Sequence, residues 1–181
     1  MIVDEEHVRI AFLRDVPEAR YEPTDTASAS LPARSRRPLG AGLSGARGAV
    51  EVYRAVGGLP QRALIGGQLR ATEDARSTVQ VLLADRPAED PETATCPGEL
   101  GRDLVPGLPS EFAGAVVGTG IDLLWSAGTL LVDRGAYHPV ESSELAFQLA
   151  TRILVEALRL GGDADDNIVE AALRALVGRL D

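Results

Sequence analysis

The stretch DRGAYHPVESSELAFQLATRI, residues 133–153, decides much of the fold because it joins a turn to a helix start. It sets His138, one of two histidines in the chain, between a tyrosine and a proline. A hydroxyl at Ser142 or Ser143 suits the N-cap, where it accepts a free backbone N–H. Apolar residues then recur at helical spacing as far as the glycines at 161–162, which predicts an amphipathic helix. The predicted apolar stripe is Leu145, Leu149, Ile153 and Leu158.

Strand patterns lie on the N-terminal side of this helix. The segment TLLVD at 129–133 is short and aliphatic, which is typical of a buried strand. Three more extended segments, AVEVYRAV, PQRALIGGQLRA and STVQVLLAD, lie between residues 49 and 85, and the last two suit a hairpin. These patterns predict an α+β fold.

A second helical pattern lies between the extended segments and TLLVD. Pro109 fits its first turn, and Glu111 lies near the positive end of the helix dipole. Three glycines inside the pattern each lower helix propensity by about 1 kcal/mol, which predicts that another element approaches the backbone closely. The glycines are Gly114, Gly118 and Gly120. The predicted core side is Phe112, Val116, Ile121, Leu124 and Trp125.

The two ends of the chain differ from this central part. HVRIAFL at 7–13 predicts a short strand, and residues 14–48 are rich in Pro, Ala, Ser, Gly and Arg, which predicts a flexible linker. An alternative makes Arg34, Arg36 and Arg37 an arm that reaches RNA. We therefore expect an N-terminal strand and linker over 1–48, a folded domain over 49–162, and an acidic helix over 163–181. That helix is predicted to start at Asp163 or Asp165 and to dock Ile168, Leu173 and Leu176, or to serve a partner.

Composition excludes several classes of protein. The 181 residues carry a formal net charge of −9, which argues against a general polyanion binder. All eighteen cations are arginine, so chemistry that needs a lysine ammonium, such as a Walker-type phosphate loop, is excluded. The lone cysteine, Cys96, cannot form an internal disulfide and is predicted to be an incidental exposed thiol. We expect no metal, no nucleotide or other cofactor, no membrane partner and a cytoplasmic location.

A family resemblance appears at YHPVESSELAFQLA, residues 137–150, which is similar to a run near the end of domain IV of elongation factor G. LPSEFAGAV at 108–116 resembles the start of the first helix of that domain, and the segments between 58 and 84 resemble its opening strands more weakly. The resemblance is strongest over residues 108–160. It implies a split β-α-β sandwich with two helices on one face of a four-stranded sheet, followed here by a C-terminal helix.

The resemblance also implies a function. Domain IV is the non-catalytic tip that enters the ribosomal decoding site, and the GTPase domain of that family has no counterpart here. Carried across, Tyr137 and His138 are expected at the presented tip, with Arg134 beside them. The other tip loop of the family is replaced by TEDARST at 72–78, where Arg76 is the one cation and two acids repel phosphate.

Two functions remain open at this point. The chain is expected to be a non-catalytic, stand-alone module that contacts the ribosome or tRNA, or else a protein-interaction or regulatory domain that kept the fold and lost ribosome binding. His138 has two matching interpretations, a contact to RNA or a turn residue whose ring bonds nearby backbone. An acid–base role is disfavoured because no positioned nucleophile accompanies it, and the two serines are explained as caps.

Overall fold

A mixed β-sheet with helices packed on one face forms the body of the protein. The computed structural model describes residues 1–5, 7–35, 43–72, 74–84, 95–161 and 164–178, and within them it contains eight strands and three α-helices. The strands are β1 (Ile2–Glu5), β2 (Val8–Leu13), β3 (Asp25–Pro32), β4 (Arg47–Val56), β5 (Leu59–Arg70), β6 (Arg76–Leu83), β7 (Val105–Pro106) and β8 (Gly128–Tyr137). The helices are α1 (Ala113–Leu123), α2 (Glu144–Arg159) and α3 (Asp166–Val177).

The sheet order is β1-β2-β4-β5-β8-β6-β3, and the short β7 pairs with the end of β8. Strand β8 runs antiparallel to β5 and parallel to β6, so the connection from β6 to β8 must cross over the sheet, and α1 lies in that crossover. The hairpin predicted for β5 and β6 is therefore wrong, because β8 lies between them. The hairpin instead joins β4 to β5 through Gly57 and Gly58, whose positive φ angles of 59° and 81° suit glycine.

The α+β class is confirmed, but the predicted count of four strands is too small. All four predicted segments are strands, namely β4, β5, β6 and β8. The sheet is larger because β1 and β2 extend it beyond β4, and β3 extends it beyond β6. Strand β3 lies inside residues 14–48, where the sequence predicts a linker. Its alternating alanines and hydroxyl residues carry too little hydrophobicity to indicate a strand, and pairing with β6 supplies the missing stabilisation.

The helices and the sheet share one large apolar core. The rings of Phe112 and Phe147 stack within it with their centroids 4.6 Å apart. Gly120 of α1 approaches the sheet as predicted, since a Cβ there would lie 3.1 Å from a methyl of Val79. Gly114 and Gly118 have nothing within 4 Å of such a Cβ, so the prediction is wrong for them.

Segments without regular structure contribute a second, smaller apolar cluster on the other face of the sheet. Cys96 and Leu104 lie in it with Leu64 of β5 and Ala136 of β8. The prediction of an exposed thiol is therefore wrong. Burial, followed by nearby carboxylates such as Glu18, raises the pKa of the Cys96 thiol to about 12.

Both predicted helix caps are confirmed. Ser143 Oγ accepts a hydrogen bond from Ala146 N at 3.2 Å, and the Asp165 carboxylate accepts one from Asn167 N at 2.8 Å. Three residues predicted to be apolar core are exposed instead, namely Leu145, Ile168 and Trp125. None of the described helices is long and apolar enough to cross a membrane, and the cytoplasmic location stays a prediction.

A β-bulge interrupts the pairing of β5 with β8. Gly66 lies opposite Arg134 and Gly67 lies opposite Val132, which leaves Asp133 without a partner residue across the ladder. A Cβ on Gly67 would overlap the carbonyl group of Leu131, so the strands approach at a distance that only glycine permits.

Replacing Gly67 with alanine should lower the free energy of unfolding by about 2 kcal/mol, because the added methyl group would push β5 away from β8. Urea denaturation followed by circular dichroism measures the change. Gly118→Ala is the matched control, and it should leave stability unchanged or raise it by up to about 1 kcal/mol, since its Cβ enters open space in a helix. Equal stabilities of the two variants would contradict this account of the bulge.

Candidate functional site

The turn after β8 is held together by its own side chains. The backbone N–H of His138 donates to Ser142 Oγ at 2.9 Å. The half-buried His138 ring accepts two backbone hydrogen bonds at Nδ1, from Val140 N at 3.3 Å and from Glu141 N at 3.1 Å. An Nδ1 that accepts places the ring proton on Nε2. These bonds match the interpretation of His138 as a turn residue, while its contact with RNA stays a prediction.

The same turn is fastened to β5 at Arg62. Ser142 Oγ donates to the carbonyl oxygen of Arg62 at 2.7 Å, and Arg62 N donates to the carbonyl oxygen of Glu141 at 2.8 Å. Tyr137, the last residue of β8, is half-buried and pairs with Val105 of β7. The turn is therefore anchored from both sides of β8.

Arg134 is buried in a chain of ion pairs. Its Nε lies 2.8 Å from Asp15 Oδ1 and its Nη1 lies 2.8 Å from Asp133 Oδ1, with 5% of the side chain exposed. Arg47 Nη2 lies 3.0 Å from the other oxygen of Asp133, and Arg20 lies 3.5 Å from Asp15. The charge of Arg134 is thus already matched by two carboxylates inside the protein.

Arg76 lies at the other end of the sheet. Its guanidinium is exposed and bonds to Ser30, with Nε 2.8 Å from Oγ and Nη2 2.8 Å from the carbonyl oxygen. Strands β6 and β8 are parallel, with Ser77 opposite Gly128, so Arg76 lies level with the start of β8 and His138 lies beyond its end. A strand of that length spans roughly 30 Å. The four predicted contact residues therefore do not converge on one site, because Arg76 and the 138–142 turn lie at opposite ends of the sheet.

The Asp15 carboxyl has a lowered pKa because of this network. Partial burial works to raise it, but the attraction of Arg134, a hydrogen bond from Val16 N and the charge of Arg20 together hold the pKa below the usual 3.8. A lowered folded-state pKa means that this carboxylate contributes stability above the unfolded pKa, and the contribution is lost as pH falls through the folded pKa.

Arg134→Gln should raise the pKa of Asp15, because it removes the largest attractive charge beside that carboxyl. A carboxyl-detected NMR titration of the native chain and the variant measures the shift. Arg20→Gln is the matched control and should raise the pKa less, since Arg20 attracts the Asp15 carboxylate most weakly and lies farther away at 3.5 Å. A larger effect from Arg20→Gln would contradict the assignment.

A buried pair that the sequence did not reveal joins β4 to β5. Glu51 and Arg62 are almost fully buried, with Glu51 Oε1 2.5 Å from Arg62 Nη2. The second carboxylate oxygen of Glu51 accepts from Glu99 N at 2.7 Å and from Leu100 N at 3.3 Å. The pair thereby holds the 95–107 segment, which carries Cys96 and Leu104, against the second face of the sheet. In the part of the chain that the structure describes, Nε and Nη1 of Arg62 have no hydrogen-bond partner.

Glu51→Ala should lower the free energy of unfolding by about 3 kcal/mol, because it leaves the buried Arg62 with only the longer ion pair to Glu141, at 4.0 Å, and frees two backbone N–H groups. Chemical denaturation measures the loss. The control is Asp4→Ala, which breaks the exposed pair between Asp4 and Arg9 at 3.0 Å and should cost at most about 1 kcal/mol. A loss for Glu51→Ala no larger than that of the control would rule out a structural role for the pair.

An apolar groove lies at the start of β8, where α1 ends. Trp125, the single tryptophan of the chain, stands at this groove with 60% of its surface exposed. Its backbone oxygen accepts from Ser35 N at 2.8 Å, which ties the segment that follows β3 to this site. The groove has a volume of about 410 Å³ and is lined by Leu43, Leu69, Leu124, Trp125, Ser126 and Arg159.

Arg159 supplies the cationic wall of the groove. Its Nη2 donates to the carbonyl oxygen of Leu123, and its Nη1 lies 2.8 Å from Glu156 Oε1. These bonds fix the guanidinium beside the apolar lining. The sequence pattern predicted that Trp125 belongs to the core. Its position after the last turn of α1 is the signal that could have indicated exposure, because a residue beyond the helix end is not on the buried helix face.

Comparison with known proteins adds no relative: no family model, no curated protein and no solved structure matches the chain. Among the residues that the structure describes, no group of three or more His, Cys, Asp or Glu side chains is placed to hold a metal ion.

Proposed function

We propose that the chain is a non-catalytic protein-interaction domain, with a core like domain IV of elongation factor G, that binds its partner at the Trp125 groove. The exposed tryptophan over this groove is the observation that carries the proposal. A large aromatic side chain left in solvent beside an apolar cavity is typical of an interaction site, since its burial by a partner is strongly favourable.

The order of elements supports the resemblance. Strands β4, β5 and β6 are followed by α1, β8 and α2, with both helices on one face of the sheet. This order is compatible with the arrangement that the resemblance implies for residues 49–162; β1, β2 and β3 lie outside that range, and the short β7 pairs with β8 within it. The proposed likeness to domain IV covers residues 49–162 and does not extend to β1, β2 and β3.

Ribosome or tRNA binding is the less favoured function. RNA affinity depends on cations that can reach phosphates, and Arg134 is buried between two aspartates. His138 uses its Nδ1 within the turn, and Arg76 lies about one strand length away. The net charge of −9 further opposes a polyanion. These features support the loss of ribosome binding in a chain that keeps the fold.

The groove favours a partner that offers an apolar side chain next to a carboxylate. Its lining is mostly leucine and tryptophan, which suits an aromatic or aliphatic group, and Arg159 suits an adjoining anion. We therefore expect the partner to be a protein segment in which a large apolar residue neighbours an acidic one.

Binding of 8-anilinonaphthalene-1-sulfonate, an apolar aromatic anion, should quench Trp125 fluorescence and raise the emission of the dye, because Trp125 is the single tryptophan and lies at the groove. Titrations compare the native chain with Trp125→Ala, which should bind at least about tenfold more weakly. Arg159→Gln should weaken binding of this anion but leave binding of the uncharged N-phenyl-1-naphthylamine unchanged.

Leu59→Ala is the control, since Leu59 is equally apolar and is exposed at the β4–β5 hairpin. Equal dye binding by Trp125→Ala and Leu59→Ala would remove the groove as the site. Co-sedimentation with ribosomes at low and moderate salt tests the competing function, and the native chain should stay in the supernatant. Pelleting that is abolished by His138→Ala would overturn the proposal in favour of an RNA contact.

A further inference from the structure

Strand β3 is one edge of the sheet, and none of the described residues pairs with its outer side. It pairs with β6 over eight residues without a register shift, and the six residues from Thr26 to Leu31 carry no charge and no proline. The other edge, β1, is four residues long, carries Asp4 and Glu5, and lies beside α3. Proteins protect edges with charges, prolines, bulges and covering elements, so β1 is protected and the middle of β3 is not.

The backbone groups that point outward from β3 follow from its register. Ala33 N donates to Ala75 O at 3.1 Å, one residue beyond the last strand pair, Pro32 with Arg76. Hydrogen-bonded and non-hydrogen-bonded pairs alternate in an antiparallel ladder, so the odd-numbered residues of β3 bond to β6. The even-numbered ones, Thr26, Ser28 and Ser30, therefore direct N–H and C=O away from the sheet.

Two hydrogen bonds agree with this assignment. Thr26 N donates to the side chain of Asp25 at 2.7 Å, so it is not used by β6. The hydroxyls of Ser30 and Thr78 lie 3.0 Å apart, as expected for a non-hydrogen-bonded pair, in which side chains are closest. Ser28 N, Ser30 N and the carbonyl oxygens of Thr26 and Ser28 are then the groups that an added strand would meet, because the Ser30 carbonyl oxygen already accepts from Arg76.

Opposite charges stand at the two ends of this edge. Arg76 lies over the Ser30 end, where it bonds to the Ser30 carbonyl oxygen, and Asp25 lies at the other end. Both side chains are exposed, and their contacts among the described residues are with Thr26 N for Asp25 and with Ser30 for Arg76. A strand that paired antiparallel with β3 about Ser28 and had the same sequence would place its own Asp25 next to Arg76, and would do so twice.

We propose that two copies of this chain associate through β3, antiparallel and with Ser28 at the two-fold axis, to form one continuous sheet. Ser28 would bond to Ser28 of the second copy through both backbone groups, and Ser30 N would donate to the Thr26 carbonyl oxygen, which gives about four backbone hydrogen bonds in all. Asp25 and Arg76 of each copy would form two ion pairs at the ends. A two-fold interface requires such self-complementarity, and the uncharged middle lets two chains of net charge −9 approach.

The edge between the flanking charges suits a second copy better than an unrelated peptide. The alternation of Thr26, Ser28 and Ser30 with Ala27 and Ala29 is nearly symmetric about Ser28. Hydroxyl residues would therefore face hydroxyl residues, and alanines would face alanines.

Sedimentation velocity of the native chain over a range of concentrations tests the proposal, and the sedimenting mass should rise from one chain towards two. Ser28→Pro should abolish the dimer, because it removes an outward N–H while leaving the bonds to β6. Ser28→Ala is the matched control and should still dimerise. A native chain that stays monomeric, or a Ser28→Pro variant that dimerises like Ser28→Ala, would overturn the proposal.

A charge exchange tests the register and does not depend on the proline. Asp25→Arg alone and Arg76→Asp alone should each weaken the dimer about tenfold at low salt, since like charges then meet at both ends. An equimolar mixture of these two single variants should recover the dimer, because each copy then offers the charge that the other lacks. Failure of the mixture to recover it would overturn the Ser28-centred register even if a dimer exists. Neither result depends on the Trp125 groove, so this proposal and the proposed function fail separately.

Discussion

Strand β8 lies between β5, to which it is antiparallel, and β6, to which it is parallel, and most of the structure depends on that position. A parallel partner cannot be reached through a tight turn, so the chain must leave β6, cross the sheet and return, and α1 fills the crossover. Antiparallel pairing with β5 on the other side then fixes the register of β8 and hence the position at which β8 ends. That position brings the 138–142 turn beside Arg62, where Ser142 fastens it.

The bulge in β8 reverses the alternation of its side chains between the two faces of the sheet. Before it, Leu130 and Val132 face the helices, and after it Ala136 belongs to the cluster on the opposite face. Asp133 is the extra residue, and Arg134 follows it into the ion pairs with Asp15. Two of the arginines, Arg62 and Arg134, are thus buried inside the protein, and arginine is the only cationic residue type apart from histidine in the sequence.

Patterns with strong local signals were predictable from the sequence. The Ser143 cap and the α2 stripe, apart from the exposed Leu145, follow from hydroxyl placement and helical spacing, and the four central strands follow from their apolar patterns. Strand β3 was not predictable, because alanine and serine carry little hydrophobic signal and its stability comes from β6, whose paired residues lie far away in the chain. The predicted pairing of β5 with β6 was wrong for the same reason, since no local sequence pattern indicates that β8 lies between them.

The candidate site was less predictable than the fold. Glu51 and Arg62 each look like solvent-facing charges in an alternating strand, and only the 95–107 segment that covers them makes them buried. Arg134 looked like an exposed turn residue because the strand pattern stopped at 133, whereas β8 continues to Tyr137. Trp125 looked like core because the helical spacing continues two residues past Leu123, where α1 ends.

The buried thiol of Cys96 offers a chemical probe of how fast the 95–107 segment opens. With a pKa raised to about 12, the sulfur is a protonated, slow nucleophile at neutral pH as long as the 95–107 segment, which carries it, stays against the sheet. Alkylating reagents would modify it at the rate at which that segment lifts from the sheet and closes again. Measured against full unfolding, that rate separates the opening of one face from the melting of the helical core.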